Sequence, residues 1–138
     1  MDGPEDPKAE GWQSGSDDGF IGHVGPLWRK GSEHLFGLRA EPRHANLVGI
    51  VQGGVLMTIA DRARGLLAWE ATGQRPCVTI GFDTQFVGAG RIGNWIEVRG
   101  ELVRLTRQLI FVRGLLSSDG SPLASCQGTW SILPDRTG

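Results

Sequence analysis

Gly53-Gly54-Val55-Leu56-Met57-Thr58-Ile59-Ala60-Asp61-Arg62-Ala63-Arg64-Gly65-Leu66-Leu67-Ala68-Trp69-Glu70-Ala71 is the one long stretch of the chain with a helical period. Val55, Leu56, Ile59, Ala60, Ala63, Leu66 and Leu67 follow the i, i+3, i+4, i+7 spacing of a single apolar stripe, which has to be buried. Thr72-Gly73 closes the helix, glycine being common just past a helix C-terminus. Beyond it the period changes to two, over Val78–Val87, Trp95–Leu105, Leu109–Leu116 and Leu123–Ile132. Thr106-Arg107-Gln108 makes one turn, and Ser118-Asp119-Gly120 is a strong hairpin signal. Ahead of the helix, His34–Arg39 reads as a short strand, followed by a polar, turn-prone stretch from Glu41 to Gly49. One strand, one long helix and four closely connected strands predict an α+β domain, with a largely antiparallel sheet holding the helix on one face. Several α+β folds share that order.

The 138 residues fit one core, and the 39% hydrophobic and 21% charged fractions are those of a globular protein. Residues 1–18 are rich in Gly, Pro, Asp, Glu and Ser, with Trp12 their only large apolar side chain, and are expected to form a flexible N-terminal tail. The domain is expected over residues 19–138, with Phe20, Ile21, Leu27 and Trp28 anchoring its start. A net charge of −1 argues against nucleic acid as a partner. The absence of a bilayer-length apolar run or a signal-peptide pattern leads to the expectation of a cytoplasmic protein with no membrane partner. Cys77 and Cys126 stand among apolar or small residues without metal-ligand spacing, as reduced thiols packed in strands do. No zinc motif, P-loop, dinucleotide fingerprint or G-x-S-x-G elbow is present.

His44, Asn46, Gly49, Gly53 and Gly54, followed by Asp61 within the helix, fall on a pattern H-x-N-x-x-G-x-x-H-G-G plus a helical acid. This segment resembles the signature of PaaI-type thioesterases, in the 4-hydroxybenzoyl-CoA thioesterase-like hotdog superfamily. The resemblance extends more loosely from His34 to Ile132. It implies the hotdog fold, a curved antiparallel sheet wrapped around one long central helix, and hydrolysis of an acyl-CoA to free acid and CoA. It also implies a homodimer or homotetramer, and chemistry that needs no metal or cofactor. Gln52 departs from the pattern, standing where the family usually has histidine.

The residue types suit that chemistry. A lone acid in an apolar helix is costly if buried without a role; otherwise Asp61 faces solvent or pairs with Arg64 at i+3. In the family the acid at the position of Asp61 is the general base or nucleophile in attack on the thioester carbonyl. Glycines at a helix start leave backbone N–H groups open at the positive end of the helix dipole. The resemblance gives the Gly53 N–H the polarising of the carbonyl, which becomes an oxyanion; the bare alternative is a glycine pair needed only for packing. Asn46 is a turn residue that could also position water or the thioester group. Gln52 can donate a hydrogen bond but cannot serve as an acid or base. Gly54, Thr79 and His44 join Gln52 as substrate-binding candidates, Thr79 matching a water-orienting hydroxyl or simply a strand former, and His44 with the alternative of only ordering the loop. Arg91, Arg104, Arg107 and Arg113 could meet CoA phosphates or be solvated surface. Two other functions fit the same fold: an acyl-thioester hydratase or dehydratase, whose helix motif typically adds a catalytic histidine, and a non-catalytic module that binds acyl-CoA.

Overall fold

The computed structural model describes residues 3–134. Its strands are β1 (Trp12–Ser14), β2 (Trp28–Lys30), β3 (Leu35–Arg39), β4 (Cys77–Phe86), β5 (Trp95–Leu105), β6 (Leu109–Ser118) and β7 (Ser121–Ile132). They form one antiparallel sheet in the order β1-β2-β3-β5-β6-β7-β4. A short helix α1 (Ile21–Val24) precedes β2, and a 3-10 turn (Pro42–His44) leads into the loop before the long helix α2 (Gly53–Ala71).

The helix has the bounds its apolar period predicts. Leu56, Ile59, Ala60 and Ala63 bury against Leu38, Ile96, Val98, Leu116 and Ala124, while Leu67 and Ala68 meet Ile110, Val112 and Trp130. Each fully buried Leu or Ile of this layer contributes about 1.5–3 kcal/mol of transfer free energy. The β6–β7 hairpin turns at Asp119 and Gly120, with φ of 51° and 79°. That mirror-image turn matches the twist of the flanking strands and needs positive φ at both residues.

Two features go beyond the sequence reading. β4 does not lie beside β5 but at the far end of the sheet, paired with β7 alone. A bulge between Thr79 and Gly81 then shifts its alternation: Thr79 pairs with Trp130, and beyond the extra residue Ile80, Phe82 pairs with Gly128 and Thr84 with Cys126. Thr79, Phe82 and Thr84 thereby share the face turned toward α2, whereas Ile80 is 60% exposed.

The stretch expected to be a flexible tail contains β1, which corrects that reading for the described residues. Trp12 is buried and meets Trp95 edge to face, centroids 5.0 Å apart at 74°, over Leu35. Burial of two indole rings outweighs the polarity of their neighbours.

Candidate functional site

Gln52 occupies the N-cap position of α2 in an extended conformation, with φ −59° and ψ 134°, and its exposed side chain makes no capping bond. The N–H groups of Gly53 and Gly54 have no acceptor among the described residues, so the helix start presents open donors. The Phe86 ring packs over Gly53, where a Cβ would come within 3.1 Å of it.

The preceding loop is held by its own polar groups. Asn46 Oδ1 accepts the N–H of Val48 at 3.0 Å and of Ile50 at 3.2 Å, a side-chain-closed turn. Gly49 takes φ 86° within it. No hydrogen bond of the described residues uses the Asn46 Nδ2. His44 is buried and spends both ring nitrogens on the backbone: Nδ1 accepts the Glu41 N–H at 2.9 Å, and Nε2 donates to the Val24 carbonyl at 2.6 Å. Its carbonyl accepts the Gln52 N–H at 2.8 Å. His44 therefore clamps the loop between α1 and α2 and leaves no ring nitrogen for a substrate, which corrects its place among the substrate-binding candidates.

Asp61 sits mid-helix, partly exposed, and its Oδ1 accepts the Thr79 hydroxyl at 2.8 Å. The ion pairs of the described residues do not include it. Arg64, its alternative partner in the sequence, turns inward instead and is 0% exposed. Burial lowers the Arg64 pKa, an effect opposed by the neighbouring Cys126 and Asp61; burial likewise pushes the Cys126 thiol up. Sequence reasoning had no means to place Arg64 in the core, because the space it fills is made by glycines on β5 and β6.

One chain does not bring the whole set together. Gly53 and Asp61 are eight residues apart on one helix, a rise of about 12 Å. A carbonyl oxygen held by the Gly53 N–H is thus out of reach of the same chain's Asp61 carboxylate. An open trough across the sheet lies elsewhere: its lining includes Asp83, Arg99, Glu101 and Arg113, with Thr84, Gly100, Gly114 and Cys126 between them, but not Gly53, Asn46 or Asp61. Among the described residues, no helix is long and apolar enough to cross a membrane.

A single antiparallel sheet wrapped around one long helix is the hotdog architecture. Residues 48–125 match the profile of the thioesterase superfamily, and the chain belongs to that family. A curated Pseudomonas aeruginosa protein named as a candidate esterase is 32% identical over 96 residues, 69% of this chain and 72% of its own. Zebra fish thioesterase superfamily member 2 shares the fold with a TM-score of 0.76 at 20% identity, over 84% of this chain and 88% of that one. A Bacillus halodurans protein solved with CoA superposes with a TM-score of 0.68 at 25% identity, over 72% of this chain and 67% of that one. A point mutant of the phenylacetic acid degradation protein PaaI from Thermus thermophilus gives 0.69 at 24% identity, over 74% and 88%.

Proposed function

We infer that the protein is an acyl-CoA thioesterase acting on a small aryl or medium-chain acyl group. Asp61 serves as general base or nucleophile, and the Gly53 N–H polarises the thioester carbonyl. The observation that carries this reading is the Thr79–Asp61 hydrogen bond. A bulge in β4 turns a hydroxyl toward the acid at mid-helix, orienting the carboxylate and leaving its second oxygen for water or the carbonyl carbon. Membership of the thioesterase superfamily and a structural neighbour at 25% identity solved with CoA support a CoA thioester as the substrate. Gln52 and Gly54 flank the carbonyl at the helix start, Asn46 offers its Nδ2 to the same region, and His44 acts only through the loop it clamps.

The active form is a homodimer, or a tetramer of two such dimers, with each site shared between subunits. Two observations support this: the roughly 12 Å helical rise between Gly53 and Asp61, and β4 itself. β4 is a long unpaired edge whose neighbourhood exposes Val78, Ile80, Phe86 and Val87, a surface that invites pairing with another copy. Gly53 and Asn46 of one chain then face Asp61 of the next.

The test mixes two impaired variants under conditions of subunit exchange. Asp61→Asn removes the base and lowers turnover by ~10²–10⁴ with folding retained. Asn46→Asp keeps the oxygen that closes the loop but removes the Nδ2 donor. Mixed dimers hold one site with both lesions and one with neither, so part of the thiol-releasing activity returns. An active monomer, or proven exchange without recovery, refutes the shared site; Asp61→Asn at parental speed refutes the mechanism.

A further inference from the structure

Among the described residues Arg64 is the only Arg, Lys, Asp or Glu that is buried outright. Its Nη1 donates to the Ala60 carbonyl at 2.8 Å, while Nε and Nη2 have no hydrogen-bonded N or O partner. The Cys126 thiol stands beside the group, but sulfur is a weak acceptor and its own contact is with the Gly114 carbonyl at 3.7 Å. The two unused nitrogens form one edge of the guanidinium, with N–H bonds nearly parallel, the edge that grips a carboxylate by two prongs. Leaving it empty in an apolar interior is unfavourable for a neutral donor and more so for a charged one.

The sheet is cut away to admit this group. Gly100, Gly114, Cys126 and Thr84 lie in register across β5, β6, β7 and β4. A Cβ at Gly114 would lie 1.6 Å from Arg64 Nη2. Thr84 Oγ1, in the same row, is also buried without a partner. The guanidinium carbon lies 5.9 Å from the centroid of the Phe82 ring, which is only partly buried. The recess thus sets two guanidinium nitrogens without an N or O partner, and a positive charge outside any ion pair of the described residues, behind an aromatic side chain, with the unpartnered Thr84 hydroxyl further along the same row on the strand that carries Thr79.

We propose that this recess is the far end of the acyl pocket, and that the acyl group ends in a carboxylate received by the Arg64 edge and the Thr84 hydroxyl. The proposal rests on the assignment of Asp61 above, and puts a short acyl group ending in a carboxylate in the place of the aryl or medium-chain group given there. Asp61 and Arg64 are separated by about 4.5 Å along α2, and the arginine side chain carries its donors further, so an acyl chain of about four or five carbons spans the two. A water would satisfy the donors but not the charge; a carboxylate satisfies both. The Phe82 ring swings aside as the chain enters.

The experiment compares glutaryl-CoA with butyryl-CoA by thiol release. The parent favours glutaryl-CoA in kcat/KM by about tenfold or more. In Arg64→Met that ratio falls to about one or below, and in Arg64→Lys, which keeps the charge but not the two-pronged edge, it lies between. Free glutarate raises the melting temperature of the parent beyond butyrate or chloride at equal ionic strength, and does not do so in Arg64→Met. This second measurement needs no turnover: failure to hydrolyse any acyl-CoA sinks the thioesterase reading, while glutarate binding still decides the recess. A parent that prefers butyryl-CoA, a ratio unmoved by Arg64→Met, or a glutarate shift equal in both proteins or matched by chloride overturns the proposal.

Discussion

Thr79→Val separates a functional hydroxyl from a strand former, because the two readings predict opposite signs. Valine has nearly the shape of threonine and a strand propensity at least as high, so a residue present only to build β4 should be replaced without loss or with a slight gain in stability. If the hydroxyl holds Asp61, the substitution removes one hydrogen bond to a carboxylate. The 2.8 Å O–O distance is that of a well-formed O–H···O bond. Hydrogen bonds to charged groups contribute about 1.5–3 kcal/mol, which the partial exposure of Asp61 and Thr79 reduces to about 1–2 kcal/mol. Expressed in the transition state, that is a fall of roughly 5–30-fold in kcat/KM. Thiol release from an acyl-CoA panel measures it, with thermal unfolding as the control for folding and Thr79→Ser as the rescue. A Thr79→Val enzyme as fast as the parent would refute the assignment of Thr79; a slow one with a lowered melting temperature would refute the claim that the hydroxyl acts locally.

Gln52→His should leave activity within about one order of magnitude if, as proposed, the residue binds rather than transfers protons; a rise from none to robust turnover would mark the chain as a non-catalytic member. Gly114→Ala, whose Cβ meets Arg64 Nη2 at 1.6 Å and the Arg99 carbonyl at 2.3 Å, should cost about 1–3 kcal/mol and lower Tm by about 3–10 °C. Its row neighbour Gly100→Ala, with nothing nearer than 3.5 Å, should be tolerated, and equal melting temperatures would contradict the packing described. Arg29 donates to Glu70 at 2.9 Å and holds that carboxyl below its ordinary range. The pair therefore stabilises the fold above the ordinary carboxylate value of 4.5 and is lost as pH falls through the lower folded value. Glu70→Gln should cost about 0.2–1 kcal/mol at neutral pH, a gap that closes in acid; a gap independent of pH in thermal unfolding would count against it.

The parts legible in the sequence were those set by local period and turn chemistry. The apolar stripe of α2 is complete within the helix itself, and Asp119-Gly120 specifies its hairpin with two residues. Thr79 could be placed on a strand beside the helix, but its direction depends on a bulge that no local pattern announces. Strand order was similarly hidden, since β7 rather than β5 receives β4 and that choice is made by tertiary packing. Arg64 departs furthest from its residue type: arginine favours solvent, and the space that admits it belongs to Gly114, fifty positions along the chain. The Asp61–Thr79 contact was approachable because a family motif marked both residues; the Arg64–Thr84 recess lies outside that motif.

The docking of β1 bears on how this protein is handled at the bench. By composition, residues 3–18 invite trimming, and shortened versions of a small enzyme commonly begin where such a segment ends. Here the cut would strip Trp12 from Trp95 and Leu35 and leave β2 as a bare strand edge. An uncovered indole beside open backbone donors and acceptors is a template for self-association. Insolubility of a trimmed protein would then report the loss of a cover strand rather than any frailty of the helix and sheet beneath it.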